Sequence, residues 1–200
     1  MIDCMRSERV LNRLRRLSEL EEMHLSYILL HVQNRDPDPR PFRTFADSWF
    51  AYHRSAQGGD FVNESFTPLW MNRGDLTDLP PRCRQVHAIS CLAERVLDRI
   101  APFQPLVRDH SVPLKRVRAE LLQAGPTNVP EVRELMLRWY RCAVITDAEH
   151  GMLRGRLNGA MPDEWAHSGS DTPSVNCFAR YEAVNIPYRI IRDLDGTNCS

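Results

Sequence analysis

The stretch "CRQVHAISC" sets Cys83, His87 and Cys91 four residues apart. Thiol and imidazole are the side chains that zinc and nucleophilic catalysis use most. The apolar residues Val86, Ile89, Ala93, Leu97 and Ile100 predict a helix here, with Pro80 and Pro81 in its first turn and Asp78 or Thr77 as its cap. On that helix Cys83, His87 and Cys91 drift by about 40° per step and form one row, away from the apolar stripe. Residues eight apart lie about 12 Å apart along the axis, whereas a zinc–sulfur bond is about 2.3 Å. One ion cannot take both cysteines, so metal binding would use His87 with Cys91, or Cys83 with His87, plus ligands such as Cys142, His150 or Cys177 from elsewhere. The alternative chemistry is a thiolate nucleophile at Cys83 or Cys91 activated by His87, with Arg82 and Arg84 favouring the thiolate. No CxxC or HxxxH completes either set, so no cofactor or metal is expected, and packing of this face on a neighbouring helix is preferred.

Other constellations are less complete. "EEMH" holds Glu21 and His24 at the spacing that carboxylate di-iron bundles use twice, but here it occurs once. A surface glutamate beside a half-buried histidine is the expected outcome. "HSGSD" gathers His167, Ser168, Ser170 and Asp171, residues that more often make a turn than a triad. The pair of segments from Asn128 to Leu157 could be read as a helix-turn-helix presenting Arg154 and Arg156, although Asp147 and Glu149 would repel phosphate. Arg9, Arg13, Arg15 and Arg16 crowd the start of the first helix, against the preference of the helix dipole. Arg180, Tyr181, Tyr188, Arg189 and Arg192 interleave near the C-terminus, where they suit anion contacts or a protein interface. Docking of this segment through Phe178, Tyr181, Ile186 and Ile190 is preferred. The binding candidates are therefore Arg13, Arg16, Arg180, Tyr181 and Arg189.

The elements that must position these residues read mainly as helices. Val10, Leu14, Leu17, Leu20, Met23, Tyr27 and Leu30 predict a core stripe on a long helix that starts after Ser7, its N-cap, and runs to about Gln33. "NRDPDPRP" ends it. A second helix is expected from Thr44, capped with Asp47. Helices follow with Leu114, Val117 and Leu121, ended by Gly125-Pro126, and with Val132, Leu135, Trp139 and Ala143, capped by Asn128 and Glu131. Thr146 and Glu149 form another capping box. After Asn158 the chain turns loop-like, with helical turns in "CFARYEAV" and a short strand in "IPYRII".

The chain of 200 residues, 42% hydrophobic and 26% charged, has an ordinary globular composition. Its 26 basic and 26 acidic residues cancel, which withholds support from nucleic-acid binding. Lys115 is the only lysine among them, an arginine bias expected of a GC-rich, bacterial source. The N-terminus lacks a signal-peptide core and no apolar run is long enough to span a bilayer, so a cytoplasmic chain away from membranes is expected. Six irregularly spaced cysteines suggest free thiols there.

The expected architecture is mainly α: a single domain of five or six helices over residues 1–158, with residues 159–200 docked on it. The expected function is non-enzymatic, that of an adaptor, regulator or accessory protein binding a protein partner. The alternatives are a small cysteine- or metal-dependent enzyme at Cys83, His87 and Cys91, and a nucleic-acid-binding regulator using an arginine-rich helix.

Overall fold

The computed structural model describes residues 2–56, 86–155, 157–163, 165 and 176–190. In chain order these form α1 (Ile2–Gln33), α2 (Pro39–Ala56), β1 (Ala88–Ser90), α3 (Cys91–Leu97), β2 (Leu106–His110), α4 (Leu114–Ala124), α5 (Val129–Trp139), β3 (Cys142–Thr146), α6 (Asp147–Met152), α7 (Ala179–Glu182) and β4 (Tyr188–Ile190). The architecture is mixed α and β, which corrects the mainly-α expectation. They divide into two compact units: one takes α1, α2 and residues 120–136, the other residues 86–119 and 137–190.

The helical unit is built on the α1–α2 hairpin. Asp38 caps α2 by accepting the backbone N–H of Arg40 at 3.0 Å, with Pro39 in the first helical position. Thr44, expected as the cap, lies inside the helix, where its hydroxyl donates to the carbonyl of Arg40. The Arg40 guanidinium beside Asp38 holds that carboxyl down at about 2. Leu17, Leu25, Ile28 and Val32 of α1 are buried, as are Phe42, Ala46 and Trp49 of α2. The core face of α1 shares Leu17 with the expected stripe and otherwise runs through different residues. It includes Glu21 and His31, both buried, and these polar residues hid it. Met23, Tyr27 and Leu30, expected in the core, are exposed. Residue 7, expected as an N-cap, lies within α1.

The second unit is a four-stranded sheet in the order β2-β3-β1-β4. β1 runs parallel to β3, and β2 and β4 run antiparallel to their neighbours. β3 reads "CAVIT" and is buried throughout. A continuous apolar run is what a strand covered on both faces requires. The expected helix from Asn128 thus stops at Trp139, and the helix-turn-helix is ruled out, because a strand stands where its turn would be. Likewise β1 replaces the helix expected around His87. Two apolar residues, Ala88 and Ile89, before the cap Ser90 cannot be told from a helical turn by periodicity. The capping box at Thr146 with Glu149 forms, and at Asn128 the side chain caps the N–H of Glu131, whose carboxylate accepts the N–H of Thr127 and the side-chain amide of Asn128. α4 ends before Gly125, whose φ of 62° is the left-handed turn glycine accepts readily. β4 forms where the short strand was expected, beside the helical turn α7.

Candidate functional site

β1 and β3 are parallel neighbours, and each runs directly into a helix. Ligands of open α/β sheets gather outside such carboxyl ends. Here the Glu149 carboxylate stands between the ends of the two strands. Its Oε2 accepts the Ser90 hydroxyl at 2.6 Å, the Thr146 backbone N–H at 2.9 Å and the Thr146 hydroxyl at 3.1 Å. Ser90 caps α3 by accepting the N–H of Ala93, and Thr146 caps α6 by accepting that of Glu149. All three residues are buried. One carboxylate therefore ties the two strand ends together.

His87 precedes β1 and is buried; its Nδ1 accepts the backbone N–H of Cys142 at 3.2 Å. Cys91 opens α3, with its N–H bonded to the carbonyl of Pro187. The two residues therefore do not share a helix face, since a strand separates them. Cys83 lies outside the described residues, as do His167, Ser168, Ser170, Asp171 and Arg192. Cys91, Cys142 and Cys177 are in no disulfide, and among the described residues no cluster of three metal-ligating side chains occurs.

On β2, one face carries Asp109. Its Oδ2 accepts the Tyr181 hydroxyl at 2.9 Å and Arg180 Nη1 at 3.3 Å, while Arg180 Nη1 also donates to the carbonyl of His110 at 2.6 Å. Arg180 and Tyr181 are buried. Burial, and then the neighbouring Asp109 carboxylate, pushes the Tyr181 phenol well above its ordinary value. His150 Nε2 stands 3.9 Å from Asp109 Oδ1, and its ring is about one-third exposed. A carboxylate beside a partly exposed imidazole has the outline of a general base, but the gap exceeds a hydrogen bond. The other face of β2 turns Arg108 and His110 to the Tyr140 hydroxyl, at 2.7 and 3.3 Å. Two candidates for surface binding, Arg180 and Tyr181, thus face inward to Asp109. Arg189 is exposed and paired with Glu94. Asp109 carried no motif that would single it out in the sequence.

In the helical unit Glu21 is buried against His53, at 3.0 Å, and Arg133. Trp49 stacks on His53 with centroids 5.4 Å apart. The "EEMH" pair is therefore split: Glu21 turns inward, while His24 stacks on Tyr52, ring centroids 5.3 Å apart. Burial lowers the His24 pKa.

Beside His24 runs the outward row of α1. Met23 is 38% exposed, Tyr27 42% and Leu30 55%, and half-buried Leu20 extends the row. Tyr27 stacks on Phe45 of α2 at 4.9 Å. The offsets of three, four and three residues are those of a heptad seam, where one helix packs on another. Arg16, exposed, continues the row one turn earlier, and Arg13 lies further along α1. The sequence pattern alone assigns Leu20, Met23, Tyr27 and Leu30 to the core.

No protein-family model, curated protein or solved structure matches this chain.

Proposed function

We propose that this protein acts by binding an amphipathic helix of another polypeptide on the outward face of the α1–α2 hairpin. The observation that carries this is the exposure of Met23, Tyr27 and Leu30 at heptad spacing, continuous with Leu20 and backed by Phe45. Exposed apolar residues scattered singly need no explanation, whereas a contiguous aligned group marks an interaction surface. Helix-in-groove recognition reads such anchors at helical spacing. The exposed guanidinium of Arg16 at one end of the row favours a partner helix with acidic residues there. The tied-up state of Glu149, His87 and Asp109 in the other unit favours binding over chemistry.

Fluorescent helical peptides about five turns long test this. They carry apolar residues at seam spacing and acidic, neutral or basic ends, and are titrated against the full chain. Seam peptides should bind in a saturable way, best with acidic ends. Leu30→Glu should weaken them about tenfold or more, and Met152→Glu, at an exposed apolar position of the other unit, should not. Absence of binding, or equal loss in both variants, contradicts the assignment.

A further inference from the structure

We infer that the turn after α3 docks on an anionic lipid surface, with Ile100 and Phe103 as apolar anchors and Arg95 and Arg99 as headgroup contacts. This surface belongs to the sheet unit and is separate from the outward face of α1. Among the described residues no helix is long and apolar enough to cross a membrane, so the contact is a peripheral one.

The backbone holds these anchors outward against local preference. The N–H groups of Ile100 and Ala101 both donate to the carbonyl of Arg95, and that of Arg99 donates to the carbonyl of Val96. This is a Schellman turn, whose left-handed position is usually glycine. Here Arg99 occupies it, with φ 59°, a conformation that costs an L side chain stability. Such turns often pack the next residue back on the helix, yet Ile100 is 67% exposed. Phe103, 56% exposed, follows three residues later, within about 10 Å even at full extension. Pro102 and Pro105 each fix one φ, and the Pro105 carbonyl accepts the N–H of Asp147 at 2.8 Å. Two large apolar side chains are therefore presented to solvent by a segment that is stiffened and tied at both ends.

Charge and size select the occupant. Arg95 and Arg99 are exposed and make no ion pair among the described residues, and like charges four apart repel. Of the nearby acids, Glu94 is paired with Arg189 and Asp98 is exposed, so the unpaired arginines outnumber the unpaired acid. A stable protein interface needs about 1,200 Å² or more, well beyond what two side chains and two prolines offer. A bilayer demands no such area: its interface takes up single apolar side chains, and anionic headgroups attract each arginine close to them. Two side chains bury less than a myristoyl chain, which binds at about 10⁴ M⁻¹, so association is expected at millimolar lipid.

Co-sedimentation of the full chain with sucrose-loaded vesicles, at about 0.1 to 10 mM lipid, tests this. The vesicles are phosphatidylcholine alone, or phosphatidylcholine with about one-third phosphatidylserine. The proteins are the wild type, Phe103→Ser, Ile100→Ser, Arg95→Gln with Arg99→Gln, and Ile190→Ser. Ile190 is an exposed apolar residue opposite the start of β1, whereas α3 follows its end. Circular dichroism confirms that each is folded. The wild type and Ile190→Ser should bind the anionic vesicles about fivefold or more better than the neutral ones. Each change at Phe103 or Ile100 should weaken binding about fivefold or more. The double arginine change should remove the preference for anionic lipid. A wild type absent from both pellets, equal binding to both vesicles, binding that survives Phe103→Ser and Ile100→Ser, or an equal loss in Ile190→Ser overturns the inference. Self-association without lipid that Phe103→Ser abolishes makes the turn a contact between copies and overturns it too.

Discussion

The sheet unit and α1 treat their notable side chains in opposite ways. In the sheet unit the groups with chemical potential are turned inward and tied up: Glu149 holds Ser90 and Thr146, Asp109 holds Tyr181 and Arg180, and His87 accepts from the β3 backbone. On α1 the reverse holds, for Met23, Tyr27 and Leu30 are apolar and face solvent. Buried polar groups with their partners satisfied rigidify a fold. Apolar groups left outside in register break the local rule, and such breaks are where function is expected. The proposed function rests on that difference: it gives stability to the first region and recognition to the second.

That division can be broken from either side. Glu149→Ala removes the acceptor of two hydroxyls and a backbone N–H, all buried, and should cost about 3 kcal/mol, read from urea unfolding. A loss below about 1 kcal/mol would free Glu149 for another role. Asp109→Asn substitutes an amide for a carboxylate that faces a buried guanidinium and should cost about 2 kcal/mol. A normal fold with little loss would contradict a structural role for the cluster.

Tyr181 sharpens the same point through pH. Its folded pKa is raised above its unfolded value, so the folded chain holds that proton longer. Its contribution is fully present below about pH 10 and is lost as pH rises through the folded value. Unfolding midpoints of the wild type should therefore fall above that pH more steeply than those of Tyr181→Phe; parallel curves would count against it. Ser90→Ala removes both a cap and a bond to Glu149 and should cost about 1 kcal/mol. Leu30→Glu lies at the far end of the scale. As a surface change it should alter stability by less than about 0.5 kcal/mol, while removing partner binding. A large destabilisation there would place Leu30 in the core after all.

What could be read from the sequence follows the physics of each segment. Helix caps are local, so Asn128 with Glu131 and Thr146 with Glu149 were legible from four residues each. The strand β4 was legible in "IPYRII". The sheet itself was not. β1 is three residues long, and its apolar residues also fit a helix, so only pairing with β3 distinguishes it. "CAVIT" follows a true helix and was absorbed into it, although its run of unbroken apolar residues carried the signal of a central strand. The pattern finds the long helix α1 and gives it an inner face that shares only Leu17 with the described buried one. α1 has two apolar rows, and the truly buried one contains Glu21 and His31, which favoured the cleaner row. That error exposed the candidate site, since a row regular enough to pass for core is what a partner helix would need. Asp109 and its contacts join residues about seventy positions apart, and no local pattern announces them.

The proposed function has the outward row of α1 recognise a partner helix. Titrating a fluorescent seam peptide against the wild-type chain, Leu30→Glu and Met152→Glu tests it most directly. The account predicts saturable binding that Leu30→Glu weakens about tenfold or more and Met152→Glu leaves unchanged. No binding by the wild type, or an equal loss in both variants, would contradict it.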